Sequence, residues 1–244
     1  MSQRNARKRV QSRRAERQRR QQTRLIAGVV IVAVIIVGIL IALPLLRGGP
    51  TVVAGDYEGL AQGVIQSNEA VGLAIGSASA PVTFVEYSDF SCPHCHDLAG
   101  IVHQLIDEYV RSGDLRVVFK PIAFVNPPYS GPAAQAAICA GQQGKFWEMH
   151  DQLWGLYDTN GPGAYTPSML FRQATAVGLD RAQFQSCFNS AETLAQVQGV
   201  IDEARARGIE GTPAVFINGQ NVPYRGADVA LADFRAAIER ELGN

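Results

Sequence analysis

The feature that most constrains this chain is an unbroken apolar run, "LIAGVVIVAVIIVGILIALPLL", at residues 25–46. At about 1.5 Å per residue, a helix of this length crosses a hydrocarbon core about 30 Å thick. The flanks of the run are unequal. Residues 1–24 carry ten Lys and Arg against one acid, Glu16, whereas the chain from Arg47 onward carries twelve basic and 21 acidic residues. The overall charge of zero describes neither part. Basic residues beside a first span stay in the cytoplasm. The sequence therefore predicts a basic cytoplasmic tail (1–24), a single transmembrane helix (25–46) and an extracytoplasmic remainder. "VVA" at 52–54 could pass as a signal-peptide cleavage site. The run exceeds the apolar region of such a peptide, about 7–15 residues, which favours an uncleaved anchor in the cell membrane. An Arg-rich tail next to a membrane is a topology signal that also attracts anionic lipid, so no nucleic-acid partner is expected.

Residues 47–68 read as a linker, opened by "RGGP" and with little periodicity, and the folded domain is expected from Glu69 to the C-terminus. "PVTFVEYS" (81–88) is apolar on both faces apart from Glu86, as a covered central strand would be. Leu98, Ile101, Val102, Leu105, Ile106, Tyr109 and Val110 follow at helical spacing, closed by Gly113. A second strand is expected in "LRVVFKPIAF" (115–124), ending around Pro121, before a break at "NPPYSGP". Residues 132–207 read as all-helical. Thr166-Pro167 marks one helix start, Asp180 with Gln183 a capping box, and Gly208 the end of the last helix of the block. Strand character returns in "AVFIN" (214–218). Asn218-Gly219 marks a hairpin turn, and Leu231, Phe234, Ile238 and Leu242 line a final helix. The order predicts an α/β domain whose two strand-rich parts are separated by helices.

"SDFSCPHCHDL" (88–98) lies at the junction of the first strand and first helix. A Cys-x-x-Cys there lets the first sulfur accept helix N–H groups, and the helix dipole favours its thiolate. His94 can act in the same direction, and Pro93 suits the first helical position. A stabilised thiolate makes the corresponding disulfide a better oxidant. The rival reading is a zinc or copper site using Cys92, Cys95, His94 and His96, but no second ligand pair follows at metal-site spacing. No metal is expected. His96, His103 and His150 read as ordinary helix residues. Glu86 shares strand parity with Val82 and Phe84. A buried acid at that place would titrate high and could exchange a proton with Cys95, the alternative being a solvated edge. Lys120 is a candidate neighbour.

"EYSDFSCPHC", followed far downstream by "GTPAVFING", resembles the DsbA-like thiol:disulfide oxidoreductases, and the likeness covers residues 69–244. The resemblance implies a thioredoxin-like α/β fold with an inserted all-helical subdomain, at about 130–207. It implies that Cys92 is the exposed nucleophile and Cys95 the buried resolving cysteine. Pro93 and His94 match the dipeptide of strongly oxidising members. Thr212-Pro213 matches a cis-proline loop that faces the dithiol and binds substrate, and Glu86 stands where the family has an acid. The resemblance also implies a structural Cys139–Cys187 disulfide in the insertion, against two buried free thiols. No cofactor is expected. The implied activity is oxidation of reduced exported proteins, with reoxidation by a quinone-linked membrane partner of DsbB or vitamin-K-epoxide-reductase (VKOR) type. The alternatives are an isomerase or reductase on the same fold, such as one serving cytochrome c maturation, and an anchored metal-binding thiol protein.

Overall fold

The computed structural model describes residues 55–67 and 70–243. The expected cytoplasmic tail and transmembrane helix lie outside these residues. Among the described residues no helix is long and apolar enough to cross a membrane.

One mixed sheet organises the domain, with strands in the order β1-β2-β4-β3-β5-β6. β3 (Val82–Ser88) lies inside it, parallel to β4 (Leu115–Pro121) and antiparallel to β5 (Ala214–Ile217). The parallel pair needs a crossover, supplied by α1 (Pro93–Leu105), which continues as a single wider turn over Ile106–Val110. Strand alternation then divides the core. Val82 and Phe84 face a large cluster with α1, helix α3 (Phe146–Asn160) and the C-terminal α7 (Ala227–Leu242). Val85 and Tyr87 face a smaller one, completed by α2 (Pro127–Gly141) and α6 (Ala191–Ala206). Helices therefore cover both faces, which is why β3 shows no polar side in its sequence.

Two further strands extend the sheet at its β4 side, one of them outside the expected domain. β1 (Gln62–Ser67) pairs antiparallel with β2 (Ala70–Ile75), which pairs antiparallel with β4. β1 falls within the stretch read as linker. "QGVIQS" has no alternation strong enough to mark a strand, and its place depends on backbone pairing with β2. Within β2, a Cβ on Gly72 would meet Val118 Cγ1 at 2.8 Å, so a side chain there would force the Val118 side chain to move.

The insertion consists of α2, α3, α4 (Pro167–Ala176), α5 (Arg181–Phe188) and α6. α2 starts inside the "NPPYSGP" stretch read as a break. Prolines are tolerated in a first helical turn, whose N–H groups have no partner in the helix, so Pro127 and Pro128 open α2. Asp180 caps α5 by accepting from Gln183 N at 2.8 Å, and Ser190 caps α6 in the same way through Thr193 N. Asn218 and Gly219 turn with φ of 45° and 81° into β6 (Gln220–Asn221). The Asn218 side chain also accepts from Thr83 N at 2.9 Å, which fixes the hairpin to β3.

Cys139 and Cys187 form a disulfide joining α2 to α5 across 48 residues of sequence. Closing a loop of that length removes unfolded-state entropy equivalent to about 4 kcal/mol in the chain-entropy model. A Cys139→Ala/Cys187→Ala variant is expected to lose stability of this order in urea unfolding. A loss below about 1 kcal/mol would mean that the bond does not constrain the unfolded chain.

Candidate active site: a dithiol at a helix start

β3 ends at Ser88 and α1 starts at Pro93, so the intervening turn sets the position of Cys92. Asp89 builds that turn. It is fully buried; Oδ1 accepts from Ser91 N at 2.8 Å, and Oδ2 accepts from Phe124 N and Val125 N at 2.7 and 2.8 Å. One carboxylate thus binds the cysteine turn to the loop after β4. The sequence reading missed Asp89. An Asp two residues before a free N–H is the signal of an Asx turn and could have revealed it. Tyr165 adds a second restraint, donating to Phe90 O at 2.9 Å and Leu153 O at 3.1 Å.

Cys92 is the N-cap of α1, in extended conformation, and Pro93 takes the first helical position. Cys92 and Cys95 are both free thiols. Cys92 is only 4% exposed, against the expectation of an exposed nucleophile. Its sulfur lies 3.3 Å from the Thr212 carbonyl oxygen, which the protonated thiol can use as acceptor. The Thr212–Pro213 bond is cis. The Cys92 thiol is lowered to about 6. The largest cause is a hydrogen bond from the Cys95 thiol; burial opposes it, and the Thr212 side chain and the backbone N–H groups of Cys95 and His94 add to it. His94 therefore acts through its backbone. Its ring is two-thirds exposed, with Nδ1 3.9 Å from Asp97 Oδ2. Cys95, fully buried, is pushed well above the ordinary thiol range by burial, by the Cys92 sulfur and by the charge of Glu86.

Glu86 is buried rather than at a solvated edge, with 2% exposure. Burial pushes its carboxyl up to about 7, while the Ser88 hydroxyl works the other way. Lys120 does not face Glu86. In the β3–β4 register Glu86 pairs with Phe119 and Lys120 with Tyr87, which puts Lys120 on the opposite side of the sheet. There it meets Glu203 at 2.8 Å, and Tyr87 donates to the same carboxylate.

The histidines read as ordinary helix residues are all engaged. His96 Nε2 lies 2.7 Å from Asp158, and its ring stacks on Tyr157, so α1 is tied to α3 one residue after Cys95. His103, His150 and Asp151 meet with Tyr57. Asp151 Oδ1 lies 2.9 Å from His103 Nε2 and 3.0 Å from His150 Nδ1, and Tyr57 donates to Oδ2 at 2.9 Å. Gly55 N also donates to Oδ2, at 2.8 Å, which ties the segment before β1 to α3. Burial opposes the Asp151 charge, yet bonds from both histidines hold its carboxyl below the usual range. These atoms are close enough to surround a cation. Their proton pattern disfavours one. Trp154 Nε1 donates to His150 Nε2 at 2.9 Å, which leaves the ring proton on Nδ1, pointing at Asp151, and no lone pair there for a metal.

Two outcomes follow from these shifts. Thiolate absorption of the reduced protein is expected to rise with a midpoint near pH 6 and to vanish in Cys92→Ser; a midpoint at the ordinary thiol value of 9.0 would contradict the site geometry. For Glu86 the folded value is about 7 against 4.5 in an unfolded chain, so the folded state binds the extra proton. Stability should fall as pH rises from 4.5 to 7 and then stay lowered. In the disulfide form, Glu86→Gln is expected to be more stable than wild type above pH 7 and no different below pH 4.5, measured by urea unfolding.

The thioredoxin family model Thioredoxin_4 matches residues 68–240. An Na(+)/H(+) antiporter NhaA 3 from Salinispora tropica is 35% identical over 147 residues, covering 59% of this chain and 21% of that protein. The chain thus spans about a fifth of the length of that longer relative. A probable disulfide bond formation protein D from Bacillus anthracis is 27% identical, over 69% of this chain and 77% of its own length. The crystal structure of oxidised BdbD from Bacillus subtilis superposes with a TM-score of 0.62 at 21% identity, over 76% of this chain and 99% of that one. By the family match over residues 68–240, with the thioredoxin-like sheet, this chain belongs to the thioredoxin family.

Proposed function

We propose that this protein is a membrane-tethered, extracytoplasmic oxidase that introduces disulfides into exported proteins through Cys92 and Cys95. The observation that carries the reading is the opposite displacement of two adjacent thiols: Cys92 lowered to about 6, Cys95 raised. In the disulfide form, a substrate thiolate attacks Cys92 Sγ and the electron pair of the Cys92–Cys95 bond goes to Cys95, which takes up a proton. A second substrate thiolate then attacks the mixed disulfide, and Cys92 leaves as its stabilised thiolate. The substrate gains one disulfide and loses two electrons, which the enzyme dithiol holds. Thr212 presents a backbone carbonyl beside Cys92, where an extended substrate segment can pair once the thiol no longer uses it. Glu86 serves as the proton source for Cys95.

A quinone-linked membrane protein of DsbB or VKOR type would reoxidise the pair. The basic tail and the apolar run at 25–46 support an anchor that keeps the domain close to emerging substrates. Thiol trapping of the full chain in growing cells tests the direction of electron flow. The account expects Cys92 and Cys95 to be mainly oxidised, and a mainly reduced pair would assign the protein to reduction or isomerisation. Cys92→Ser is expected to abolish dithiol oxidation by the purified protein, and retention of activity would overturn the role of Cys92.

A further inference from the structure

The Glu86 face of β3 holds a side chain that the proposed reaction leaves unused. Ser88 is fully buried, and its Oγ has no hydrogen-bond partner. A buried hydroxyl without a partner costs about 1–3 kcal/mol, so its position calls for a physical reason. Ser88 follows Glu86 by two residues, and strand alternation points both side chains to the face covered by α1, where Cys95 occupies the first turn. Glu86 acts on Cys95 through its charge and not through a hydrogen bond. The Ser88 hydroxyl acts on both: it favours the ionised form of the Glu86 carboxyl and of the Cys95 thiol. A donor left unpaired beside a neutral thiol finds its partner when charge develops on that sulfur.

We propose that Ser88 is the proton relay between Glu86 and Cys95. As the Cys92–Cys95 bond breaks, its electron pair moves to Cys95 Sγ. The Ser88 hydroxyl gives its proton to that sulfur and takes the proton of the Glu86 carboxyl. Glu86 is left as a carboxylate and recovers its proton from solvent. The reverse sequence removes the Cys95 proton during reoxidation. No reactant beyond the disulfide and the incoming thiolate is required. This inference rests on the Glu86 role proposed above.

The test uses the full-length protein in detergent, in its disulfide form, mixed with dithiothreitol at pH 7, quenched with acid and counted for free thiols. Ser88→Ala is expected to slow reduction about tenfold, the loss of one hydrogen bond to a charged group. Ser88→Thr, which keeps the hydroxyl, should restore the wild-type rate. The thiolate titration of Cys92 should stay where wild type has it, and Glu86→Gln/Ser88→Ala should be no slower than the slower single variant. A wild-type rate in Ser88→Ala with a slowed Glu86→Gln would overturn the relay and leave the role of Glu86 standing. Wild-type rates in both would overturn both. A Ser88→Ala protein with a displaced Cys92 titration would show a general distortion of the site and also overturn the relay.

Discussion

Stabilisation of the Cys92 sulfur at the start of α1 is the constraint that links the distant parts of this structure. It draws on two separate pieces of chain. The helix supplies N–H groups from His94 and Cys95 and the hydrogen bond of the Cys95 thiol, and the loop supplies the Thr212 side chain. Each piece is positioned by something larger. Asp89 sets the turn that aims Cys92, the βαβ unit fixes α1 on the sheet, and antiparallel pairing of β5 with β3 brings residues 212–213 opposite the helix start. A change in any of these would alter the acidity of Cys92 without touching its sulfur.

The two faces of the sheet accommodate their acids in different ways. Toward α1, Glu86 is buried without a cation and its carboxyl holds its proton up to about 7. Toward α6, Lys120, Glu203 and Tyr87 form a neutralising cluster. One residue of strand register separates the two arrangements, so the alternation of β3 decides which surroundings each side chain enters. The insertion supports the same site from the side. His96 against Asp158 and Tyr157, Tyr165 against Phe90, and the Asp151 network against His103 all bind the helical block to α1 or to the cysteine turn.

The legible parts of the sequence were those written in local pattern. The dithiol between strand and helix, the helical block, the cap at Asp180 and the Asn218-Gly219 turn all depend on residues a few positions apart. What escaped depends on distant partners. β1 is held by backbone pairing that its composition does not announce. His103 and Asp151 are 48 residues apart, so neither showed its role along the chain. The Lys120 partner lies 83 residues away, and strand register, not proximity to Glu86 in the alignment of motifs, selects it. Pro127 and Pro128 gave a true helix-breaking signal that the first turn of α2 renders harmless. Cys92 and Cys95 were identified by type and spacing, but the near-complete burial of Cys92 and the backbone route by which His94 acts required coordinates.

The central claim is that the folded protein favours the reduced dithiol because it stabilises the Cys92 thiolate. Equilibration of the full-length protein with glutathione redox buffers measures that preference directly. The account predicts a reduction potential above about −180 mV, in the range of strongly oxidising thiol:disulfide proteins. A value near the thioredoxin level of about −270 mV would contradict it, because a thiolate held as described would then leave the disulfide no easier to reduce.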